Sequence, residues 1–282
     1  MWIASYPKSG NTWLRALLTA YFYTEDGNFN FSLLSKIHQF PEKKFFKNYN
    51  KDLNSITDTA EFWIDAQKKI NSSGNFRLFK THNAFLDVNN CGFTDIHNTS
   101  GCIYLLRDPR NVITSVKNHY ENNYDEALNF MKNDKGMIHE KINDQFVNFQ
   151  FLSSWKNHYK SWVNTSTFPV KVIKYEDIEK NPLETMKIVI DFINSVAKFS
   201  NPFDKKKALK CVETTEFEKM KKLENEEGFK EAPIGQKTKK KKIFFNLGKK
   251  NNWEKILPKE ILLKMNVAFK EDLNKWGYKI ND

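Results

Sequence analysis

The sequence predicts a three-layer α/β/α fold around a mostly parallel central sheet. Short apolar runs alternate along the chain with segments of helical period, the pattern of strands joined by crossover helices. No repeat of fixed period and no Pro- or Ser-rich linker interrupts the 282 residues, so the chain reads as one domain over 1–282. Its 40% hydrophobic and 15% aromatic content is enough for a buried core and argues against global disorder.

Trp2 to Tyr6 reads as the first strand and Pro7 to Gly10 as a turn. Thr12 to Tyr23 reads as a helix with Trp13, Leu14, Leu17 and Leu18 on one face. Phe76 to Phe79 is expected as a second strand, after a Ser-Ser-Gly-Asn turn, and Cys102 to Leu106 as a third, after Gly101. Asp108-Pro109 has the form of an N-cap followed by proline at the first helical position, opening a helix to about Tyr120. Ile142 to Val163 reads as one long helix carrying Phe146, Phe149, Trp155 and Trp162. Val170 to Lys174 is a fourth strand, Asn181-Pro182 opens a helix to about Val196, and a last helix runs from Pro258 to Lys275.

Composition narrows the function classes. No apolar run approaches the ~18 residues of a membrane span, and the opening MWIASYPKSG lacks the form of a signal peptide; a cytoplasmic location is the expectation. Three scattered cysteines, Cys91, Cys102 and Cys211, cannot form a disulfide framework. The six histidines show no metal-binding spacing, so no metal is expected. The net charge of +11 is almost all lysine, the arginines being Arg15, Arg77, Arg107 and Arg110. That surface favours anionic partners, although lysine-rich composition with solvated side chains gives the same sum.

In parallel sheets, ligands bind beyond the carboxyl ends of the strands. The residues expected there are Pro7 to Gly10, Lys80-Thr81-His82, Arg107 to Arg110 and Tyr175-Glu176-Asp177. Lysines, an arginine, a histidine and a tyrosine suit a phosphorylated aromatic ligand. Tyr6-Pro7-Lys8-Ser9-Gly10-Asn11-Thr12-Trp13 joins a strand to a helix; backbone N–H groups of such a loop converge on an anion, and the helix N-terminus favours negative charge. The lysine precedes the glycine, unlike the Walker loop, which disfavours a nucleoside triphosphate held with magnesium. Leu106 to Ser115 repeats the strand–loop–helix theme. Arg107 offers a planar fork for phosphate oxygens, and Ser115 lies about two helical turns further along. An ordinary βα turn, an Arg107–Asp177 ion pair and a core Trp13 are the structural alternatives.

The segments from Pro7 to Trp13 and from Tyr104 to Ser115 resemble the 5′-phosphosulfate loop and the 3′-phosphate motif of the cytosolic-type sulfotransferases. The likeness continues through Lys80-Thr81-His82, Tyr175-Glu176-Asp177, Phe217-Glu218-Lys219-Met220 and Trp276-Gly277-Tyr278, nearly the whole chain. It implies a P-loop-NTPase-like fold and metal-independent transfer of a sulfuryl group from 3′-phosphoadenosine 5′-phosphosulfate (PAPS). The acceptor would be a hydroxyl on a small molecule, lipid or sugar. It further implies that Lys8 meets the 5′-phosphate and bridging oxygen, and that Ser9, Gly10, Asn11 and Thr12 bind the phosphosulfate. Trp13 would stack on adenine, Arg107 and Ser115 would hold the 3′-phosphate, and Tyr175, Thr215 and Phe217 would touch the nucleotide. His82 would be the general base and Lys80 would stabilise the transition state. The chemistry agrees: charge moves onto the oxygen leaving sulfur, where cations act, and histidine can deprotonate an alcohol near neutral pH.

Two departures stand out. Where the family carries Arg-Lys-Gly before a tryptophan, this chain has Asn246-Leu247-Gly248-Lys249-Lys250-Asn251-Asn252-Trp253. Gly248 and Trp253 fit; either Lys249 or Lys250 replaces the lost cations, or the 3′-phosphate is held less tightly. Asn11 stands at a frequent threonine. The Lys237 to Lys242 run reads as a solvated loop or as a cationic lid. The acceptor pocket is expected from internal segments, Phe29 to Phe46 and Tyr120 to Gln150. The dimer motif of animal relatives is absent near the C-terminus, and the oligomeric state is left open. Competing readings are a polyanion or nucleic-acid binder, a magnesium-dependent kinase and an inactive nucleotide-binding relative; no nucleic-acid partner is expected.

Overall fold

The computed structural model describes residues 1–49, 56–142, 145–235 and 240–280. The elements run β1 (Trp2–Ser5), α1 (Asn11–Tyr23), β2 (His38–Gln39), α2 (Ile56–Ala60), α3 (Trp63–Asn71), β3 (Phe79–Thr81), β4 (Cys102–Leu106), α4 (Pro109–Tyr120), α5 (Tyr124–Lys132), β5 (Met137–Ile142) and β6 (Gln145–Phe151). Then come α6 (Trp155–Val163), β7 (Val170–Lys174), α7 (Tyr175–Lys180), α8 (Pro182–Ala197), α9 (Lys205–Thr214), α10 (Phe217–Glu227), α11 (Trp253–Ile256) and α12 (Lys259–Lys275). Among the described residues no helix is long and apolar enough to cross a membrane.

The chain divides into two compact units. The first is Met1–Tyr6, Ser35–Leu106 and Asn133–Phe203. It holds a five-stranded sheet in the order β2-β3-β1-β4-β7, every pairing parallel. The predicted fold class is borne out. Central strands β1 and β4 are buried at every residue, as near-continuous apolar runs in a covered parallel sheet require. Helix α6 packs on β1, β4 and β7. An aromatic core fills the unit: Trp2 lies 5.1–5.9 Å from Phe40, Phe79 and Phe93, and Phe93 meets Trp63 and Trp162. The indole N–H of Trp2 is satisfied by Thr99 Oγ1 at 2.7 Å.

Two expectations need correction here. The long helix over Ile142 to Val163 is instead strand β6, antiparallel to β5, followed by helix α6. Phe146 and Phe149 have helical spacing, but Gln-Phe-Val-Asn-Phe-Gln-Phe is rich in strand formers and completes an antiparallel pair. The helix starts only at Ser154, whose side chain accepts from Asn157 N at 3.3 Å, a standard N-cap contact. The second strand begins at Phe79 rather than ending there. Lys80 and Thr81 therefore lie within β3, and only His82 follows it.

The second unit is Pro7–Leu34, Arg107–Lys132 and Asp204–Asp282. Helix α1 packs on α9, and α4 on α5, α11 and α12. A core of Ala16, Leu34, Met220, Phe229, Ala232 and Phe245 carries Trp13, Phe31, Phe217 and Phe244 on its margin. The start of α4 is fixed as the sequence suggested. Asp108 caps it by accepting from Arg110 N at 2.9 Å, and Pro109 takes the first turn. Arg110 is spent on structure: its guanidinium grips the Asp108 carboxylate through Nε (2.9 Å) and Nη2 (2.7 Å), donates to Lys279 O at 2.6 Å and lies 3.7 Å from the Trp253 ring.

Asp108 and Arg110 are both buried, so removing one strands the other's charge. Asp108→Ala is expected to cost about 3–5 kcal/mol, read from chemical denaturation. The double variant Asp108→Ala/Arg110→Met should lose less than Asp108→Ala alone.

Candidate functional site

In the second unit the residues expected to bind an anion gather at the start of α1. Lys8 and Gly10 both have positive φ, 68° and 96°, which curls the loop so that successive N–H groups face one side. Gly10 is the N-cap of α1 and has no side chain with which to cap it; the positive end of a helix favours an anion. The Ser9 hydroxyl is buried and has no partner among the described residues. A buried orphan donor of this kind calls for a ligand. Arg107 pins the loop by donating from Nη1 to Lys8 O at 3.1 Å. Ser9, Asn11, Thr12 and Arg107 are all buried.

Lys8 Nζ sits 4.2 Å over the Phe244 ring and 3.4 Å from His119 Nδ1. Glu231 accepts from Arg15 Nη2 at 2.6 Å and from Thr12 Oγ1 at 3.4 Å. Ser115, on α4, accepts from Asn251 Nδ2 at 2.9 Å, and the same amide reaches Asn111 O at 3.0 Å. The stretch that departs from the family pattern is thus joined to Ser115 through Asn251, whereas Lys249 and Lys250 are exposed. Gly248 has φ 52°, and a Cβ there would lie 2.6–2.7 Å from the Phe217 ring. Only glycine lets that ring approach. Phe217 and Trp13 rest on one core, a placement suited to an aromatic base. Thr215 is fully buried, its hydroxyl donating to Cys211 O at 2.8 Å, so its side chain closes α9. Of the lysine run, Lys237 to Lys239 lie outside the described residues. Lys242 ties to the end of α4, at Asn118 O (2.8 Å) and Glu121 (3.3 Å).

The first unit holds Lys80, His82 and Tyr175. Tyr175 opens α7 directly after β7 and is half-buried. The pairing of β1 with β3 runs Ile3↔Lys80, Ala4↔Thr81; continued one residue, it sets Ser5 opposite His82. His82 Nδ1 donates to Ser5 O at 2.7 Å, with Ser5 Oγ 3.2 Å from the same nitrogen. A carbonyl can only accept, so Nδ1 carries a proton. The main chain at His82 is held on both sides: its N–H donates to Gln150 Oε1, and its carbonyl accepts from His158 Nε2 at 3.0 Å. Tyr104 Oη donates to His158 Nδ1 at 2.8 Å. Burial lowers the His158 pKa to about 4, keeping that ring neutral, and burial raises Tyr104 well above its usual range.

Residues 1–277 match the family described as Sulfotransferase domain. The chain belongs to the sulfotransferase family. It is 23% identical over 290 residues to a flavonol 3-sulfotransferase of Flaveria bidentis, covering 98% of this chain and 82% of that protein. Among solved structures, mouse sulfotransferase SULT7A1 complexed with PAP aligns with a TM-score of 0.56 at 18% identity, over 96% of this chain and 83% of that one. Retinol dehydratase in complex with androsterone and inactive cofactor PAP aligns at 0.53 and 16%, over 96% and 80%. The sulfotransferase is therefore an enzyme of the expected class and fold.

Ser5, Gln150, His158, Glu231 and Asn251 are positions that sequence reasoning did not single out as site residues. Ser5 acts through its backbone, which no residue type announces. Gln150 closes the segment expected to shape the acceptor pocket, and His158 reads as a core histidine on an aromatic helix face.

The His158 shift makes stability pH-dependent. The unfolded imidazole takes up a proton near pH 6.5 and the buried one only near pH 4, so between these values the unfolded chain binds more protons. Stability should be complete above pH 6.5 and fall by up to about 3 kcal/mol as pH drops to 4. Urea denaturation of the wild type and His158→Gln across that range checks this; the variant should lack the His158 contribution.

Proposed function

We propose that this sulfotransferase moves a sulfuryl group from PAPS to an acceptor hydroxyl on a small molecule, lipid or sugar. The observation that carries the reading is the uncapped start of α1, with the orphaned, buried Ser9 hydroxyl inside a Lys8–Gly10 loop of positive φ. A phosphosulfate supplies the acceptors those donors lack. That solved relatives hold PAP and a curated relative acts on a flavonol fits the same donor set.

On this reading Ser9, Gly10, Asn11 and Thr12 hold the 5′-phosphosulfate, Arg107 and Ser115 the 3′-phosphate, and Trp13, Phe217 and Tyr175 the adenine, with Gly248 admitting the Phe217 ring. The departed cations before Gly248 are compensated through Asn251, which orients Ser115, rather than through Lys249. PAPS supplies an activated sulfuryl group whose S–O bond to phosphate breaks as the acceptor oxygen bonds to sulfur. His82 Nε2 takes the acceptor's proton, and the Ser5 carbonyl steadies the imidazolium that forms. Lys8 and Lys80 stabilise the charge on the leaving oxygen, so the cations supply the electrostatic work that metals do in phosphoryl transfer.

Calorimetric titration with 3′-phosphoadenosine 5′-phosphate (PAP), 5′-AMP and ATP–magnesium tests the nucleotide assignment. Micromolar PAP binding, at least tenfold tighter than AMP and lost in Arg107→Ala, is expected; equal affinities or a preference for ATP–magnesium would overturn it. Transfer of labelled sulfur from PAPS to a panel of phenols, sterols and sugars tests the base. His82→Ala should lower the rate about 10²–10⁴-fold with PAP affinity unchanged, and wild-type transfer by that variant would remove His82 from the reaction.

A further inference from the structure

We infer that His158, backed by Tyr104, is a positioning residue for His82, acting on the main chain of the base rather than on substrate. The inference rests on the reading of His82 as the base.

The peptide groups on both sides of His82 are bound by side chains. The carbonyl is bound by His158 at 3.0 Å and the N–H by Gln150. His82 itself is partly exposed, as a working base must be, whereas His158, Tyr104 and Gln150 are all buried. The buried groups therefore cannot reach an acceptor molecule.

Donor accounting fixes every proton in the chain. His82 O can only accept, so His158 Nε2 carries hydrogen; His158 Nδ1 is then an acceptor, and Tyr104 Oη supplies its proton at 2.8 Å. The Tyr6 and His158 rings pack T-shaped, centroids 5.5 Å apart at 87°. Burial keeps the ring uncharged, so the clamp holds throughout the range in which a histidine base works. Its effect is to hold the His82 backbone where Nδ1 meets Ser5 O. That contact decides which ring nitrogen is left to accept a proton. Loss of the clamp should lower the fraction of His82 in the productive tautomer and orientation, and so lower kcat without touching nucleotide affinity.

The test compares His158→Gln, whose amide nitrogen can reach His82 O, with His158→Asn, whose shorter side chain cannot, in the full-length enzyme. His158→Leu and Tyr104→Phe accompany them. For each variant the kcat of labelled-sulfur transfer, the KM for PAPS and the Kd for PAP are measured, with His82→Ala alongside. His158→Asn and His158→Leu should lose 10–100-fold in kcat with KM and PAP Kd within twofold of wild type. His158→Gln should recover at least half of the kcat, and Tyr104→Phe should lose a few-fold. Should the leucine variant fail to fold and bind no PAP, the Gln–Asn contrast decides. Equal kcat in those two variants, or wild-type kcat in His158→Asn, would overturn the clamp. If those variants keep wild-type rates while His82→Ala is inactive, the clamp fails and the base reading stands. If His82→Ala is itself fully active, the base reading fails instead.

Discussion

The hydrogen bond from His82 Nδ1 to the Ser5 carbonyl is the contact on which the proposed chemistry turns. It exists because β1 and β3 are parallel and in register, so the last residue of one strand faces the first residue beyond the other. A shift of one residue would turn the histidine to the other face of the sheet. The aromatic core that Trp2 and Phe79 enter makes that shift costly, because the buried residues of β3 would have to exchange faces. Packing far from His82 thus fixes which of its nitrogens meets the Ser5 carbonyl.

In the proposed function the second unit has a different task, the binding of strong anions without an exposed cluster of arginines. It uses backbone geometry first: two positive-φ residues within three positions and an uncapped helix start. Arg107 fixes the loop through Lys8 O, and in the proposed function its guanidinium also meets the 3′-phosphate. Lys8 is steered by the Phe244 face and His119, so a flexible side chain is directed by its neighbours rather than by an ion pair. Glu231 engages Arg15 and Thr12, offsetting a buried guanidinium next to the loop.

Much of this was legible in the sequence where function and fold are both local. Pro7 to Gly10 and Arg107 to Ser115 are contiguous segments in which turn, cap and cation sit together, and Asp108-Pro109 announces a helix start by itself. Cys102 to Leu106 and Val170 to Lys174 were readable as strands by their apolar and β-branched content. The β5–β6 hairpin was not, because the helical spacing of Phe146 and Phe149 outweighed the strand formers around them. The supports of the site were also hidden. His158 meets His82 across 76 positions, and Asn251 meets Ser115 across 136. Nothing in a single sequence records such pairings, and a buried histidine with satisfied nitrogens has the same local signature whatever it supports.

The proposed mechanism rests most directly on the protonation site of His82. Nitrogen-15 NMR of ring-labelled histidine near neutral pH, with His82→Gln to assign its signals, reads the tautomer without any acceptor. The structure requires a proton on Nδ1, and the proposed mechanism requires an imine-like Nε2 beside it. An Nε2–H tautomer at His82 would leave the nitrogen meant to accept the proton already occupied, and would contradict the mechanism at its first step.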